Sequence, residues 1–201
     1  MSKILGSMTI VVILFVFSAS PVLAAGLIKF GVDLPGTLQY IYKLDDEEDM
    51  PRSADLLDTQ MGYSVGGEFF FDLGERLAVG VGADYQLYHK TKYYSFYYYP
   101  YYYEIEHQFK FIPVYVLVRC KIDSTSFVTG KVGYNLIEFK DYPEDYEFKG
   151  GLYYGFGGGA VLADVFQVEV LYSVNTGREE NKNDKYDIKY AKLGVTFGYK
   201  F

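Results

Sequence analysis

The sequence predicts an all-β protein, a closed eight-stranded antiparallel up-and-down transmembrane barrel. Three observations support this prediction. After Gly26, apolar and polar residues alternate with a period of two in eight segments, and helical periodicity is absent. Such a period places successive side chains on opposite faces of a β-strand. Short turns and long polar loops alternate between the segments, and the last segment, AKLGVTFGYKF (191–201), is apolar at every second position.

The first 24 residues are predicted to be a cleaved signal peptide. Lys3 supplies a positive amino-terminal region, MTIVVILFVF (8–17) an apolar core, and SASPVLAA (18–25) a small-residue region that favours cleavage after Ala24. A membrane anchor is the alternative, but the apolar run has about half of the ~20 residues that a spanning helix needs. Residues 25–201 are then expected to form a single domain.

Composition narrows the classes of function. Half of the residues are hydrophobic, which suits one domain with a large apolar surface. Cys120 is the only cysteine, so no intrachain disulfide can form. The net charge of −7 becomes −8 when Lys3 leaves with the signal peptide. This negative charge argues against nucleic acid as a partner.

The first three segments each have one apolar face. The predicted strands span, in order, about 27–43, 61–72, 77–90, 105–120, 127–139, 150–162, 165–175 and 191–201. The apolar faces of the first three comprise Ile28, Phe30, Val32, Leu34, Leu38, Tyr40 and Tyr42; Tyr63, Val65, Phe69 and Phe71; and Leu77, Val79, Val81, Ala83, Tyr85 and Leu87. Pro35 limits ladder bonding in the first segment, because proline has no N–H to donate.

The fourth segment keeps one apolar face only if its register changes. That face consists of Phe109 and Phe111, followed by Val114, Val116 and Val118. A β-bulge near Ile112 and Pro113 would produce the change. The sequence therefore predicts such a bulge, with Phe109 and Phe111 facing out of the barrel.

The last four segments alternate without interruption. Their apolar residues are Val128, Val132, Tyr134 and Leu136; Leu152, Tyr154, Phe156, Ala160 and Leu162; Phe166, Val168, Val170, Tyr172 and Val174; and Leu193, Val195, Phe197, Tyr199 and Phe201. Tight connections lie at 72–76, at 121–126 and near Asp164, and long ones at 44–60, 91–104, 140–149 and 176–186. This layout, with an even strand count, is typical of outer-membrane barrels.

A soluble, ligand-binding barrel of the lipocalin type is the alternative with eight strands. The polar face decides between the two, because eight strands enclose a narrow interior that side chains fill. Charges fit there only as a mutually paired network. The predicted lumen charge network comprises Lys29, Asp33, Glu68, Asp84, Lys110, Arg119, Lys131, Glu169 and Lys192. The apolar face then meets lipid, where an open sheet edge is not tolerated.

Three segments resemble the small outer-membrane β-barrel proteins of the OmpA and OmpX type: FKFIPVYVLVR (109–119), FVTGKVGYNL (127–136) and GVTFGYKF (194–201). The resemblance covers about 27–201. It implies a place in the outer membrane of a Gram-negative bacterium, with outer-membrane lipid, lipopolysaccharide and the barrel-assembly machinery as partners. It also implies an assembly signal in the last strand, formed by Leu193, Val195, Phe197, Tyr199 and Phe201. Nothing corresponds to the peptidoglycan-binding domain of full-length OmpA-type proteins, so cell-wall tethering is not expected.

No catalytic, cofactor or metal site is predicted. His89 and His107 flank the second long loop, but a hydrolase needs a nucleophile and a carboxylate around its histidine, and no His-x-Ser motif is present. Both histidines are interpreted as polar residues near the outer rim. The acidic segments DDEEDM (45–50) and DYPEDYE (141–147) lack EF-hand spacing. They are interpreted as solvated loops, with weak divalent bridging to lipopolysaccharide as the alternative.

The segment YYSFYYYPYYY (93–103) is the candidate binding surface. It holds eight of the 23 tyrosines, whereas an interfacial belt needs only one or two rings per strand. Rigid amphipathic rings beyond the lipid are typical of binding surfaces. The structural alternative is that the flanking strands continue above the bilayer, with Pro100 near the tip. The candidate surface-binding residues are Tyr97, Tyr98, Tyr99, Tyr101 and Tyr102.

These observations predict an integral outer-membrane barrel, filled with side chains, that has a structural or adhesion-like role through long extracellular loops. An extracellular ligand is expected, and the sequence does not identify it. A narrow porin-like solute channel is the alternative, and a lipid A-modifying enzyme is the third hypothesis.

Overall fold

The computed structural model describes residues 24–42, 52–98, 101–140, 146–181 and 185–201. Their strands are β1 (Ala24–Asp33), β2 (Thr37–Tyr42), β3 (Arg52–Asp58), β4 (Gly62–Asp72), β5 (Leu77–Gln86), β6 (His89–Tyr98), β7 (Tyr101–Lys121), β8 (Ser126–Lys140), β9 (Glu147–Leu162), β10 (Phe166–Glu180) and β11 (Lys185–Lys200). Apart from Ala24, the predicted signal peptide lies outside the described residues. No helix among the described residues has the length and apolarity needed to cross a membrane.

Eight strands close a ring through antiparallel hydrogen-bonded pairs, in the order β1-β4-β5-β7-β8-β9-β10-β11 and back to β1. At the closure, Ile28 pairs with Tyr199 and Phe30 with Phe197. The alternating last strand therefore pairs with the first and leaves no open edge. The prediction of an all-β, closed, eight-stranded antiparallel barrel is confirmed.

Three neighbouring barrel strands are each divided in two. Residues 34–36 separate β1 from β2, residues 59–61 separate β3 from β4, and residues 87–88 separate β5 from β6. The first break contains Pro35, as the sequence indicated. The three breaks lie next to one another because β2 pairs with β3, and Thr59 bridges to Thr91 at the start of β6.

The side chains that face the lumen change parity at these breaks. Asp33 and Leu38 are both buried although they are five positions apart, and so are Gln86 and His89, three positions apart. An uninterrupted strand would put the members of each pair on opposite faces. The prediction that Leu38 shares the lipid-facing side of Ile28 is therefore wrong, because the irregular segment between them shifts the alternation by one.

Strand β7 has no bulge at Ile112 or Pro113. It pairs with β8 without a register shift along 108–121, and Phe109 and Phe111 are fully buried on the lumen side. Both the predicted bulge and the predicted outward direction of these two rings are wrong. The irregularity lies on the side of the neighbouring strand. Pairing of β5 with β7 ends at Ala83 and Val114, and pairing of β6 with β7 begins at His89 and Phe109. The unpaired part of β7 between them contains Pro113, which has no N–H to donate.

The outer face of the ring is apolar over a band that begins at the short turns. Phe156 is its most exposed large side chain, at 68%. Near its long-loop side, the band contains exposed outward tyrosines, and Leu87, Leu136 and Leu152 lie one outward position beyond three of them. This tyrosine belt comprises Tyr63, Tyr85, Tyr134, Tyr154 and Tyr172. Belts of this kind mark a membrane interface.

Strand pairing continues beyond the band and shortens the predicted long loops. Strand β3 lies within 44–60, and β10 and β11 occupy much of 176–186. Strands β6 and β7 continue through 91–104 to a pair between Tyr98 and Tyr101. These segments were predicted as loops because their apolar alternation is weak, whereas backbone pairing above the membrane needs no apolar face.

Candidate functional site

Eight of the nine predicted network residues point into the lumen: Lys29, Asp33, Glu68, Asp84, Arg119, Lys131, Glu169 and Lys192. Four are cations and four are carboxylates, so their formal charges cancel. Opposite charges that share a confined interior satisfy one another's hydrogen-bonding groups, which lowers the cost of burying them. We refer to these eight residues as the charge network.

Glu68 is the centre of the network. Its Oε1 accepts hydrogen bonds from Lys29 Nζ at 2.7 Å, from the Tyr115 hydroxyl at 2.8 Å and from Lys131 Nζ at 2.8 Å. Lys131 also donates to Glu169 at 2.8 Å, and Lys29 lies 3.0 Å from Asp84. Side chains from six strands are thereby connected across the lumen.

Arg119 fills the lumen toward the short turns. Its guanidinium carbon lies 4.1 Å from the ring centre of Phe70 and 4.0 Å from that of Phe127. Nη1 donates to Gln167 Oε1 at 2.7 Å, and Nη2 lies 3.6 Å from Glu68 Oε2. The delocalised cation is thus held between two aromatic faces, an arrangement that suits arginine.

Asp33, Lys192 and His89 form a layer of the lumen on the long-loop side of the Glu68 contacts. Lys192 makes an ion pair with Asp33, and His89 Nε2 lies 3.2 Å from Asp33 Oδ2. His89 is fully buried, so the interpretation of this residue as a rim residue is wrong. Gly62 leaves space for the imidazole, since a Cβ there would lie 2.0 Å from Nε2.

An apolar cluster closes the lumen on the long-loop side. We call it the aromatic plug, and it comprises Leu38, Phe109, Phe111, Phe139, Ile188 and Tyr190. The Phe109 ring centre lies 5.2 Å from Tyr190 and 5.8 Å from Phe139. The His89 ring stacks on Phe109 at 5.7 Å. The aromatic plug therefore covers the Asp33 layer from above.

Lys110 does not belong to the charge network, so its predicted place in the lumen is wrong. It lies on the outer face of β7, where its Nζ is 2.9 Å from the Tyr85 hydroxyl and 3.0 Å from Glu138 Oε2. Adjacent positions on a continuous strand face opposite sides, and Phe109 and Phe111 face the lumen. The rings of Tyr85 and Tyr88 cover the ammonium group.

Further ion pairs lie on the outer surface above the tyrosine belt. Lys149 pairs with Glu180, and Arg178 Nε donates to Asp187 Oδ1 at 2.9 Å. The hydrogen bond from Lys149 holds the pKa of the Glu180 carboxyl below its ordinary value. The same bond raises the pKa of Lys149, and the bond to Asp187 raises that of Arg178.

The residues of the predicted assembly signal lie on β11 and at its end. Leu193, Phe197, Tyr199 and Phe201 are exposed on the outer face, and Val195 is half-buried. The backbone of Phe201 exchanges two hydrogen bonds with Gly26, at 2.9 and 3.1 Å. The last position is therefore paired with the first strand at the barrel seam.

The predicted binding segment lies at the tip of the β6–β7 hairpin. Tyr97 and Tyr98 lie in β6, Tyr101 and Tyr102 lie in β7, and Tyr99 is outside the described residues. The acidic segment 45–50 and most of 141–147 are also outside them. In the described parts of the chain, no three His, Cys, Asp or Glu side chains are grouped as a metal site.

Sequence reasoning missed the neutral members of the lumen. Tyr115 donates to Glu68 and lies in the middle of the charge network, and Tyr153 packs against it at 5.3 Å. Each follows or precedes an outward residue, Val114 or Tyr154, so the period-two pattern predicts that both tyrosines face the lumen. They were absent from the predicted network because only charged side chains were selected for it.

Comparisons with known proteins agree with this architecture. The family model of the outer membrane protein β-barrel domain matches residues 9–201. The structure of outer membrane protein OprG from Pseudomonas aeruginosa is similar at 16% identity and a TM-score of 0.53, over 89% of this chain and 95% of that one. Neisserial surface protein A is 12% identical, with a TM-score of 0.49 over 88% and 99% of the chains. The Ail protein of Yersinia pestis is 14% identical, with a TM-score of 0.43 over 88% and 99%.

No curated protein matches the sequence significantly. The match to the family model nevertheless extends over nearly the whole chain, and the closed eight-stranded ring with an apolar outer face agrees with it. The chain therefore belongs to the outer membrane protein β-barrel domain family.

Proposed function

We propose that this outer-membrane protein is a surface-interaction protein, with the closed barrel as its anchor and the extracellular strand extensions as its binding part. The filled lumen is the observation that carries the proposal. The charge network occupies its periplasmic part, and the aromatic plug occupies its extracellular part. An eight-stranded barrel has little interior space beyond its side chains, so activity at the exposed surface is favoured over passage through the barrel.

The β6–β7 hairpin supports this proposal. Strand β7 has 21 residues, whereas about 9–11 suffice to cross a bilayer. From Lys110, beside the tyrosine belt, to Tyr101 the strand advances nine residues, or roughly 30 Å along its axis. This length supports a position of the tyrosine-rich segment beyond the lipid, and tyrosine is a residue type that suits binding surfaces.

A five-site variant tests the proposal: Y97S, Y98S, Y99S, Y101S and Y102S. Cells that display it are compared with wild type for attachment to surfaces coated with fibronectin, laminin or collagen. The matched control replaces the same five residues with phenylalanine, which keeps the rings. We expect the serine variant to lose attachment and the phenylalanine variant to keep most of it, because the aromatic faces provide the contact area.

Heat-modifiable gel migration verifies that both variants fold. A folded serine variant that attaches like wild type would show that the tyrosines are structural, and the acidic loops would become the better candidates. Wild-type cells that attach to none of the three coatings would argue against an adhesive role.

The channel and enzyme hypotheses have less support. We expect no stable conductance in planar bilayers, and regular openings of the wild-type protein would contradict the closed-barrel proposal. His89 and Asp33 lie beneath the aromatic plug, so a lipid substrate does not reach this pair. We accordingly expect the mass of lipid A to stay unchanged when the protein is expressed.

A further inference from the structure

A cavity lies inside the periplasmic end of the barrel. Residues from all eight strands of the ring line it, together with the turn after β7, so it surrounds the barrel axis. Lys121, Ser124 and Lys200 are exposed at its rim, where it opens to the periplasm. Its volume is about 80 Å³, whereas a single water molecule needs roughly 10–15 Å³. The cavity, which we call the periplasmic cavity, therefore has room for a ligand of about five non-hydrogen atoms.

The inner walls of the periplasmic cavity are mainly apolar. They are formed by buried side chains, namely Leu27, Phe70, Ala78 and Phe127. A multiply charged anion such as phosphate would lose its hydration against these walls and find few donors in exchange, which is costly. The walls therefore favour a ligand that carries at most one charge and has an apolar part.

Arg119 and Gln167 are the buried polar residues of the cavity lining. Arg119 Nη1 donates to Gln167, but Nε and Nη2 have no hydrogen-bond partner among the described residues. Nη2 lies 3.6 Å from Glu68 Oε2, which is longer than an ordinary hydrogen bond of about 2.7–3.2 Å. The other oxygen of Glu68 already accepts three hydrogen bonds. The guanidinium therefore retains donors for a second anion, and its planar fork matches a carboxylate.

The charges that line the periplasmic cavity also favour an anion. Three are cations and two are carboxylates, so one positive charge is in excess: Arg119, Lys121 and Lys200 against Asp72 and Asp123. Both carboxylates already have partners. Asp72 lies 3.6 Å from Lys121, and Asp123 accepts backbone hydrogen bonds within its own turn. Neither carboxylate therefore pairs with the Arg119 guanidinium.

We propose that the periplasmic cavity binds a small monocarboxylate of about the size of propionate. The carboxylate accepts hydrogen bonds from Arg119, and the short alkyl group packs against the apolar walls. The charge network and the aromatic plug fill the lumen beyond Arg119, so the ligand enters and leaves on the periplasmic side. The site lies at the opposite end of the barrel from the β6–β7 hairpin and does not depend on the proposed adhesive function.

Two variants test this site in the folded, full-length barrel in lipid nanodiscs, which leave both ends of the barrel accessible. R119Q removes the cation, and R76Q is its matched control because Arg76 is exposed in a turn at the same end. A78L fills the cavity and keeps every charge. Its matched control is A83L, since Ala83 is exposed on the outer face of the same strand.

Each protein is titrated with propionate, with its uncharged analogue propionamide and with inorganic phosphate, and binding is measured by saturation-transfer NMR of the organic ligands and by competition with phosphate. Heat-modifiable migration verifies folding. We expect R119Q to bind propionate about 10- to 100-fold more weakly than wild type, because hydrogen bonds to a charged group contribute a factor of this size. A78L should lose binding, R76Q and A83L should bind like wild type, and propionamide should bind wild type as weakly as propionate binds R119Q.

The cavity-filling variant decides the question if R119Q does not fold, because it leaves the charge network unchanged. Wild type that does not bind propionate, or A78L that binds it like wild type, would overturn the site. Equal affinity of wild type for propionate and propionamide would overturn the carboxylate contact. Phosphate that binds more tightly than propionate would overturn the assignment to a monocarboxylate.

Discussion

Replacing Glu68 with glutamine is expected to lower the free energy of unfolding by about 3–5 kcal/mol, which is the usual cost of removing one partner of a buried ion pair. Glu68 is fully buried, and one of its oxygens accepts hydrogen bonds from Lys29, Lys131 and Tyr115. Glutamine keeps an acceptor at this position but removes the charge. The charge network then holds four cations and three carboxylates, so one positive charge in it is unbalanced.

Two companion variants locate the cause of the loss. E138Q removes a carboxylate that pairs with Lys110 on the outer surface, where the Glu138 side chain is 53% exposed. Its expected cost is about 0–1 kcal/mol, as for other exposed pairs. In E68Q/K29M the lumen is neutral again, and we expect it to recover at least about 1 kcal/mol relative to E68Q alone.

The assay is urea unfolding of the barrel in lipid vesicles. The chain has no tryptophan, so tyrosine fluorescence and gel migration without boiling report the transition. Urea midpoints are compared only between variants whose free energy of unfolding has the same dependence on urea concentration. Equal slopes indicate that these variants expose the same amount of surface on unfolding. Equal midpoints for E68Q and E138Q, or a double variant as unstable as the sum of its single substitutions, would refute the argument that charge balance in the lumen stabilises the barrel.

Three other predictions concern the aromatic plug, the barrel seam and a periplasmic turn. F109A should cost about 3–5 kcal/mol, because Phe109 is fully buried among other rings, whereas F156A on the exposed outer face should cost much less; the reverse order of urea midpoints would restore the outward assignment of Phe109. Deleting Phe201, or replacing it with aspartate, should leave export intact and impair insertion, and normal heat-modifiable migration of the variant would contradict an assembly role for this residue. In the turn after β7, backbone hydrogen bonds from Thr125 and Ser126 hold the pKa of Asp123 at about 2. Because this pKa is depressed below the unfolded value of about 3.9, the stabilisation by Asp123 is present above pH ~4 and is lost as the pH falls through the folded pKa near 2. D123A should therefore have a lower urea midpoint than wild type at pH 7. An equally large difference between the two midpoints at a pH of about 2 would contradict a stabilising role of the Asp123 carboxylate.

The alternation of residues within each unbroken strand was readable without the fold. Lys131 and Val132, or Glu169 and Val170, lie on opposite faces because successive side chains of a strand must do so. Pro35 likewise indicated limited ladder bonding within the first predicted strand, although the break into β1 and β2 was not predicted. The strand count followed from the same local rules, since turn residues and alternation are properties of short segments of chain.

The tertiary structure decided how the faces connect across the breaks and which apolar residues meet lipid. Local alternation assigns two faces, but the parity on the far side of a break depends on how the neighbouring strands pair around the ring, as Leu38 and His89 illustrate. An apolar side chain is also equally suited to lipid and to a dry interior. The local sequence around Phe109 and Phe111 therefore does not show that these rings face the lumen. Lys110 faces outward because it lies between these two lumen-facing rings on a continuous strand. The two tyrosines and Glu138 that surround it come together only in the closed barrel. The sequence by itself therefore determined the strands and their two faces, whereas closure of the ring decided the contents of the lumen and the position of the cations at the lipid boundary.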